Sequence, residues 1–247
     1  MTPRPTLSVL YEPAARPAAD LSDATAVVID AVRATTTIVA ALAAGCVEVV
    51  PFRTDAEVHA EAKRRPAGSF VTAGERKGVR IEGLDLNNSP SVMTSDRVGG
   101  RSLLLTTTNG TQAILEAMAA HAVLVAALPT RRAVARRCAA IGRRVVFFSA
   151  GTVGTVSCED TLVAGAVIEA MASEPGGKAF HLEDSALVAL AAWRGVTGRL
   201  EEIFSQTWGG AFIANLGLAA DLAVCTSVDS VDVVPVVHGP PPIITAG

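Results

Sequence analysis

Short apolar runs that alternate with helix-like segments dominate the first two thirds of the chain. Residues 26–30 (AVVID) form a continuous apolar run that ends in a carboxylate, as is typical of a strand buried on both faces. Residues 35–44 follow as a predicted helix, and Gly45 is placed to cap its C-terminus. Such alternation favours an α/β fold, layered α/β/α, with a largely parallel or mixed sheet.

The same alternation predicts most of the remaining elements. Further strands are predicted at residues 48–52, 69–73, 102–107, 122–127 and 144–149, and further helices at residues 55–64, 111–120, 130–140 and 159–171. Residues 74–90 are predicted to be a loop. Beyond residue 175 the pattern weakens to helices at 184–193 and 200–216 and a final strand at 231–237.

A chain of 247 residues fits one large domain or two closely packed lobes. Residues 174–178 (EPGGK) could separate such lobes, but we interpret them as a turn and residues 1–247 as one domain. The sequence leaves homo-oligomerisation open.

Composition argues against several classes of protein. A net charge of −3 and an aromatic content of 4% argue against nucleic acid as a partner. The uncharged stretch 203–220 is too polar for a membrane span, and residues 1–20 lack the apolar run of a signal peptide. Four cysteines and four histidines show no metal-ligand spacing, so we expect reduced thiols, no zinc site and a cytoplasmic location.

Polar residues collect where predicted strands end, which is where open α/β sheets bind ligands. After the first strand, Asp30 could hold Mg²⁺ and Arg33 could clamp a phosphate or sulfonate. The alternative is that Asp30 pairs with Arg33. After the strand at 102–107, Asn109 and Gly110 allow a positive-φ turn, and the helix start near Thr111 offers N–H groups to an anion. An ordinary capped turn is the alternative.

Two further clusters complete the candidate site. In residues 150–160, Gly151 lets the backbone approach a ligand, and Glu159 and Asp160 could join Asp30 in a site for a hard cation. Acidic residues are also favoured in a first helical turn without any metal. In the loop 74–90, Arg76 is a second candidate anion clamp, although a solvated surface loop would look the same.

Familiar phosphatase and nucleotide-binding templates do not fit. Cys138 and Arg144 have the spacing of a nucleophilic-cysteine phosphatase, but a helix precedes them and a strand follows. Val32 stands where haloacid-dehalogenase phosphatases carry an acid. The phosphate-binding glycine motifs of nucleotide-binding proteins are absent.

Five ordered motifs resemble those of the 2-phosphosulfolactate phosphatase (ComB) family. They are IDAVRATTT (29–37), GER (74–76), NNSP (87–90), TTTNGT (106–111) and AGTVGTVSCED (150–160). The match covers most of residues 25–165, and the segments at Asp184, Asp221 and Pro235 agree more loosely. Asn87 and Cys158 depart from the pattern of the family.

The resemblance implies a Mg²⁺-dependent enzyme of coenzyme M biosynthesis that hydrolyses 2-phosphosulfolactate, a small anionic phosphate ester, to 3-sulfolactate. We expect Asp30, Glu159 and Asp160 around Mg²⁺. Substrate would be held by Arg33, Arg76, Asn88, Ser89, Asn109, Gly110, Thr111 and Gly151. The attacking group could be water or Asp30 itself. A related phosphorylated hydroxy acid, a non-catalytic anion-binding or regulatory protein, and a phosphoryl or nucleotidyl transferase remain alternatives.

Overall fold

The structure, a computed structural model, describes residues 4–196 and 198–247 as alternating strands and helices. The strands are β1 Thr6–Leu10, β2 Thr25–Ile29, β3 Glu48–Phe52, β4 Phe70–Arg76, β5 Val79–Arg80, β6 Ser102–Thr106, β7 Ala122–Ala126, β8 Val145–Ser149, β9 His181–Leu182, β10 Pro235–His238 and β11 Ile243–Ala246. The α-helices are α1 Ala34–Ala43, α2 Asp55–Ala62, α3 Ser95–Val98, α4 Gly110–Ala117, α5 Arg131–Ile141, α6 Cys158–Met171, α7 Asp184–Gly195, α8 Leu200–Gln206, α9 Trp208–Asn215 and α10 Ala220–Thr226.

One mixed sheet contains all of these strands, in the order β5-β4-β6-β3-β11-β10-β7-β2-β8-β1-β9. Strands β7, β2, β8, β1 and β9 form one parallel half, and β3, β6 and β4 form the other. The hairpin of β10 and β11 joins the halves through three successive antiparallel ladders. An odd number of antiparallel steps means that the two parallel halves run in opposite directions.

Helices cover both faces of the sheet, which confirms the predicted α/β/α layering. On β2, Val27 and Ile29 belong to a core cluster that includes α5, α6 and α7, whereas Ala26 and Val28 belong to a second cluster. Burial on both faces explains the continuous apolar run of this strand.

The second cluster joins the two halves of the sheet. It combines residues of β2, β7 and β8 with residues of β3, β4 and β6, and α1 and α4 contribute to it. Helix α1 contacts both β7 and β3, and α4 contacts both β2 and β3. The two oppositely directed halves therefore share one core around α1 and α4.

Most predicted elements are confirmed, and the exceptions lie near the termini and between residues 74 and 98. The predicted helix at 200–216 is broken at Thr207, whose hydroxyl caps α9 by accepting the Gly210 N–H. No element was predicted for β1, α10, β11 or the short β5, α3 and β9. The first three residues of the segment 1–20 lie outside the described residues. None of the helices that the structure describes is long and apolar enough to cross a bilayer.

Candidate functional site

A pocket of about 390 Å³ lies where the segments after β2, β4, β6 and β8 meet the start of α9. Its polar wall consists of Asp30, Arg33, Glu75, Lys77, Asn88, Thr108, Asn109, Gly151, Thr152, Ser157 and Asp160. Because the halves of the sheet run in opposite directions, these segments do not converge by following parallel strands to one edge. They converge because both halves of the sheet pack on α1 and α4. Helix α1 begins shortly after β2, and α4 begins shortly after β6.

Asp30 presents a free carboxylate oxygen to this pocket. Its Oδ1 accepts a hydrogen bond from the Ala34 N–H at 3.3 Å, whereas Oδ2 has no donor among the described residues. Gly110 makes room for Oδ2, since a Cβ on Gly110 would lie 2.7 Å from that atom and would collide with Ala34. Neither Asn109 nor Gly110 has a positive φ, so the positive-φ turn that this pair allows is not formed. Gly110 instead lets α4 approach Asp30 closely.

Asp160 ties together the segments that follow β2 and β8. Its Oδ1 accepts the Ala31 N–H at 2.9 Å, and its Oδ2 accepts the Ser149 hydroxyl at 2.9 Å and the Gly151 N–H at 3.1 Å. Asp160 sits in the first turn of α6, where the Ser157 hydroxyl accepts the Asp160 N–H at 3.1 Å. With three donors already bound, Asp160 is suited to fix the site more than to bind a ligand.

The carboxyl groups of Asp30 and Asp160 have pKa values above the ordinary range of aspartate. For Asp30, burial is the main cause and the nearby charge of Asp160 is the next, while the Ala34 N–H opposes both. For Asp160, burial raises the pKa, the Ala31 N–H lowers it, and the charge of Glu159 raises it again. The pocket therefore concentrates negative charge at a cost in free energy.

Glu159 does not line the pocket. One of its carboxylate oxygens accepts the Ser157 hydroxyl at 3.0 Å, and the other is buried without a partner next to Gly209 and Val32. Among the described residues, no group of three or more His, Cys, Asp or Glu side chains has an arrangement that could hold a metal ion. The three-carboxylate arrangement of Asp30, Glu159 and Asp160 is thus not assembled.

Arg33 pairs with Asp221 and not with Asp30. Its Nη1 donates to Asp221 Oδ2 at 3.0 Å and its Nη2 to the Gly78 carbonyl at 3.1 Å. Arg33 is 4% exposed and Asp221 0%. Asp221 Oδ1 also accepts the hydroxyls of Ser89 and Ser91, at 2.5 and 2.6 Å. Asp221 therefore fixes the Arg33 guanidinium on the pocket wall.

The loop 87–91 contributes one side chain to the pocket and not the two predicted. Asn88 lines the pocket, is 3% exposed, and its Oδ1 has no hydrogen-bond partner. Ser89 does not line the pocket, because its hydroxyl is bound to Asp221. In this structure the Ser89 hydroxyl holds the loop against Asp221.

Lys77, which the sequence analysis missed, occupies the position expected of Arg76. Arg76 points away from the pocket and donates to Thr106 Oγ1 at 3.1 Å and to the carbonyls of Glu75 and Arg53. Lys77 and Gly78 both have positive φ and form the tip of the β4–β5 hairpin. The hairpin is held by Glu75, which accepts the N–H groups of Gly78 and Thr108, each at 2.7 Å.

The remaining predicted residues divide between pocket and scaffold. Asn109 and Gly151 line the pocket, and the Asn109 side chain donates to the Gly151 carbonyl at 3.4 Å. The Gly151 N–H is bound to Asp160 and is not available to an anion. Thr111 is buried outside the lining, where its hydroxyl exchanges hydrogen bonds with the backbone of Thr107. Thr111 therefore shapes the turn before α4.

An apolar wall faces the polar one and was also missed. It consists of Val32, Val153, Trp208, Phe212 and Ile213. Trp208 and Phe212 are stacked on α9 with ring centroids 4.9 Å apart. Their spacing of four residues within the uncharged stretch 203–220 is the signal that could have revealed them.

Carboxylates, cations and an unpartnered amide oxygen gathered in one pocket of an α/β fold are typical of enzymes that act on small anionic substrates. The comparisons with known proteins agree with this class. The family model described as 2-phosphosulpholactate phosphatase matches residues 10–240. The chain belongs to the 2-phosphosulfolactate phosphatase family.

Relatives named "Probable 2-phosphosulfolactate phosphatase" span nearly the whole chain. The protein of Symbiobacterium thermophilum is 40% identical over 220 residues, which cover 89% of this chain and 94% of that protein. Those of Synechococcus sp. (strain RCC307) and Clostridium tetani are 38% and 37% identical, over 93% and 87% of this chain and 95% and 90% of their own lengths.

Replacing Asp221 is expected to destabilise the fold. Asp221→Asn removes the charge that pairs with buried Arg33, and losing one partner of a buried pair typically costs about 3–5 kcal/mol. Urea unfolding should show that the free energy of unfolding falls by roughly 3 kcal/mol in Asp221→Asn. In the control Asp232→Asn, which loses an exposed surface ion pair with Arg136, it should fall by less than about 1 kcal/mol. Equal losses in both variants would contradict a structural role for Asp221.

Replacing Asp30 is expected to stabilise the metal-free protein in a pH-dependent way. Above about pH 4 the unfolded chain ionises Asp30 while the folded protein retains the proton. The folded state then binds more protons, so its stability falls as the pH rises. Asp30→Asn should therefore raise the free energy of unfolding by about 1 kcal/mol or more at pH 8, with little difference at pH 4.

Urea unfolding in EDTA at pH 4, 6 and 8 measures this effect, with Asp232→Asn as the surface control. If the free energies of unfolding of Asp30→Asn and the unaltered protein differ by the same amount at all three pH values, the Asp30 carboxyl has the same pKa in the folded and unfolded states.

Proposed function

We propose that the protein hydrolyses the phosphate ester of a 2-hydroxy acid with the help of Mg²⁺. The ester in the names of its relatives is 2-phosphosulfolactate, and the proposal includes related phosphorylated 2-hydroxy acids. The observation that carries it is Asp30, whose Oδ2 has no donor among the described residues and which lines one pocket with Arg33, Lys77 and Asn88. The buried Oδ1 of Asn88 has no hydrogen-bond partner.

The oxygen atoms on the pocket wall suit Mg²⁺. This ion takes oxygen ligands, keeps several waters, and commonly uses only one or two carboxylates together with substrate phosphate oxygens. Asp30 and Asn88 would hold it, with Asp160 fixing the backbone beside Asp30, so a cluster of three carboxylates is not required. When bound, Mg²⁺ supplies positive charge that offsets the charge of the phosphate.

The protein's own cations would orient the ester. Arg33 has guanidinium N–H groups beyond the two that bind Asp221 and the Gly78 carbonyl, and its position on the wall suits phosphate oxygens. Lys77 offers a second cation on a flexible stem. Hydrolysis breaks the ester P–O bond, forms a P–O bond to the oxygen of water, and leaves negative charge on the departing oxygen, which these cations would stabilise.

Release of inorganic phosphate from synthetic 2-phosphosulfolactate tests the proposal directly. We expect release with Mg²⁺ and none above background with EDTA. Asp30→Asn should lower kcat by at least about a hundredfold, because removing one preorganised group commonly costs that much. Circular dichroism should show an intact fold in this variant. Activity that persists in EDTA would show that Mg²⁺ is not required. If no phosphate is released from 2-phosphosulfolactate, 2-phospholactate or an aryl phosphate, the proposed phosphatase activity is wrong.

Two adjacent cations provide a matched test of the pocket. Lys77→Ala should raise KM about tenfold or more, since a hydrogen bond to a charged group contributes roughly 1.5–3 kcal/mol and 1.4 kcal/mol is a factor of ten. Arg76→Ala removes the same charge one residue away, outside the pocket, and should change KM by less than about threefold. A larger increase in KM for Arg76→Ala than for Lys77→Ala would show that Arg76, and not Lys77, binds the anionic substrate.

A further inference from the structure

One buried cation lies next to the pocket but does not line it. Arg16 belongs to the 3₁₀ helix Pro13–Ala18 and is 7% exposed. Its Nη1 donates to the carbonyls of Ser149 and Ala150, at 3.2 and 3.4 Å. Ser149 is the last residue of β8, and the residue after Ala150 is Gly151, which lines the pocket. Arg16 therefore holds the turn that leads from β8 into the pocket.

The same turn is bound from its other side by Asp160, whose Oδ2 accepts the Gly151 N–H at 3.1 Å. The C=O and N–H groups of a trans peptide bond point in opposite directions. Fixing the Ala150 carbonyl from one side therefore points the Gly151 N–H to the other side, where Asp160 lies. Asp160 Oδ1 in turn accepts the N–H of the residue that follows Asp30, at 2.9 Å. A chain of contacts thus leads from Arg16 through Asp160 to Asp30.

Helix α4 is bound to the same guanidinium. Glu116 lies on α4, and its Oε2 lies 2.9 Å from Arg16 Nε. Neither atom has a hydrogen bond among the described residues, so this contact is one of opposite charges. The first residue of α4, Gly110, borders the Oδ2 of Asp30. Arg16 therefore contacts both elements that enclose the Asp30 carboxylate, the turn 149–151 and α4.

Arg16 also places a positive charge near two carboxyl groups that repel each other. Burial lowers the pKa of this guanidinium, and the charges of Glu116, Asp160 and Asp30 raise it again. Such an attraction is mutual, so the guanidinium favours the ionised forms of Asp30 and Asp160. The position of Arg16 thus lowers the free-energy cost of the ionised state in which Asp30 can hold a cation.

We propose that Arg16 is a positioning residue for the phosphatase reaction, which fixes the Asp30 carboxylate through the turn 149–151 and α4 without touching the substrate. The inference rests on the proposed function and adds a residue to it. Fixing Asp30 matters because a displacement of about 1 Å at a reacting group can lower the rate about a hundredfold. Arg33 and Lys77, which orient the ester, belong to other segments, so we expect Arg16 to affect kcat and not KM.

The variants must separate positioning from stability. Arg16→Met alone leaves the partly buried Glu116 carboxylate without its partner and should lower Tm by about 5 °C or more. The double variant Arg16→Met with Glu116→Gln removes both charges and should recover at least about half of that loss. Its matched control is Arg65→Met with Glu48→Gln, which removes another partly buried ion pair, on β3 and away from the pocket.

Phosphate release from 2-phosphosulfolactate in the presence of Mg²⁺ measures the effect on the reaction. We expect kcat to fall at least about tenfold in the Arg16 double variant, with KM within about threefold of the unaltered protein. Both constants of the Arg65 control should stay within about twofold. Arg16→Lys, which keeps the charge but replaces the planar fork by a single ammonium group, should give an intermediate kcat.

Two results would overturn the inference and keep the phosphatase. One is an unaltered kcat in the Arg16 double variant, whatever its KM. The other is an equal fall in kcat in the Arg65 control, which would show that any partly buried ion pair has the same effect.

Hydrogen exchange tests the chain of contacts without any substrate. The Ala31 and Gly151 amides, which both donate to Asp160, should exchange at least about tenfold faster in the Arg16 double variant and at an unaltered rate in the Arg65 control. If the unaltered protein hydrolyses no ester, the proposed function fails, and this measurement decides the inference alone. Faster exchange would then support Arg16 as the residue that fixes Asp30, and unaltered exchange would overturn it.

Discussion

The buried ion pair between Arg33 and Asp221 is the interaction on which the arrangement of the pocket depends. Burying two charges is favourable only if hydrogen bonds satisfy both groups. Here Asp221 also accepts the hydroxyls of Ser89 and Ser91, and Arg33 also donates to the Gly78 carbonyl. Four segments that are distant in sequence meet at this one pair: the start of α1, the β4–β5 hairpin, the loop 87–91 and α10. Moving any one of them would leave at least one of the two buried charges with fewer hydrogen bonds.

The mixed sheet explains why these segments need the Arg33–Asp221 ion pair to hold them together. In an all-parallel sheet, the carboxyl ends of the strands lie along one edge and bring their loops together. In this protein the halves run in opposite directions, so β2 and β6 cannot meet at one edge of a flat sheet. They meet because both halves pack on α1 and α4, and because Gly110 lets α4 approach Asp30 closely. The pocket is thus a product of helix packing as much as of sheet topology.

The sequence predicted the regular part of this structure better than the irregular part. Strand β3 was predicted at its observed bounds, and Asp30, Arg33, Asn88, Asn109, Gly151 and Asp160, which the sequence predicts for the site, line one pocket. The final strand predicted at 231–237 overlaps β10, whereas β11 was missed because it is short and directly follows the proline-rich residues 239–242. Side-chain direction was equally hidden: adjacent Arg76 and Lys77 cannot be told apart until the positive φ of Lys77 turns the chain. Asp221 carries no local motif, so only its distant partners reveal its role.

The negative charge of the pocket favours the binding of a cation. Burial and mutual repulsion raise the pKa values of Asp30 and Asp160, so ionising both costs free energy in the protein alone. Natural proteins retain such costs mainly at functional sites, where a ligand offsets them. A divalent cation near Asp30 would remove the repulsion and, because it prefers the ionised carboxylate, would bind more tightly as the pH rises. The same negative potential repels a free phosphate ester. Cation and ester should therefore bind cooperatively, since each neutralises charge that opposes the other.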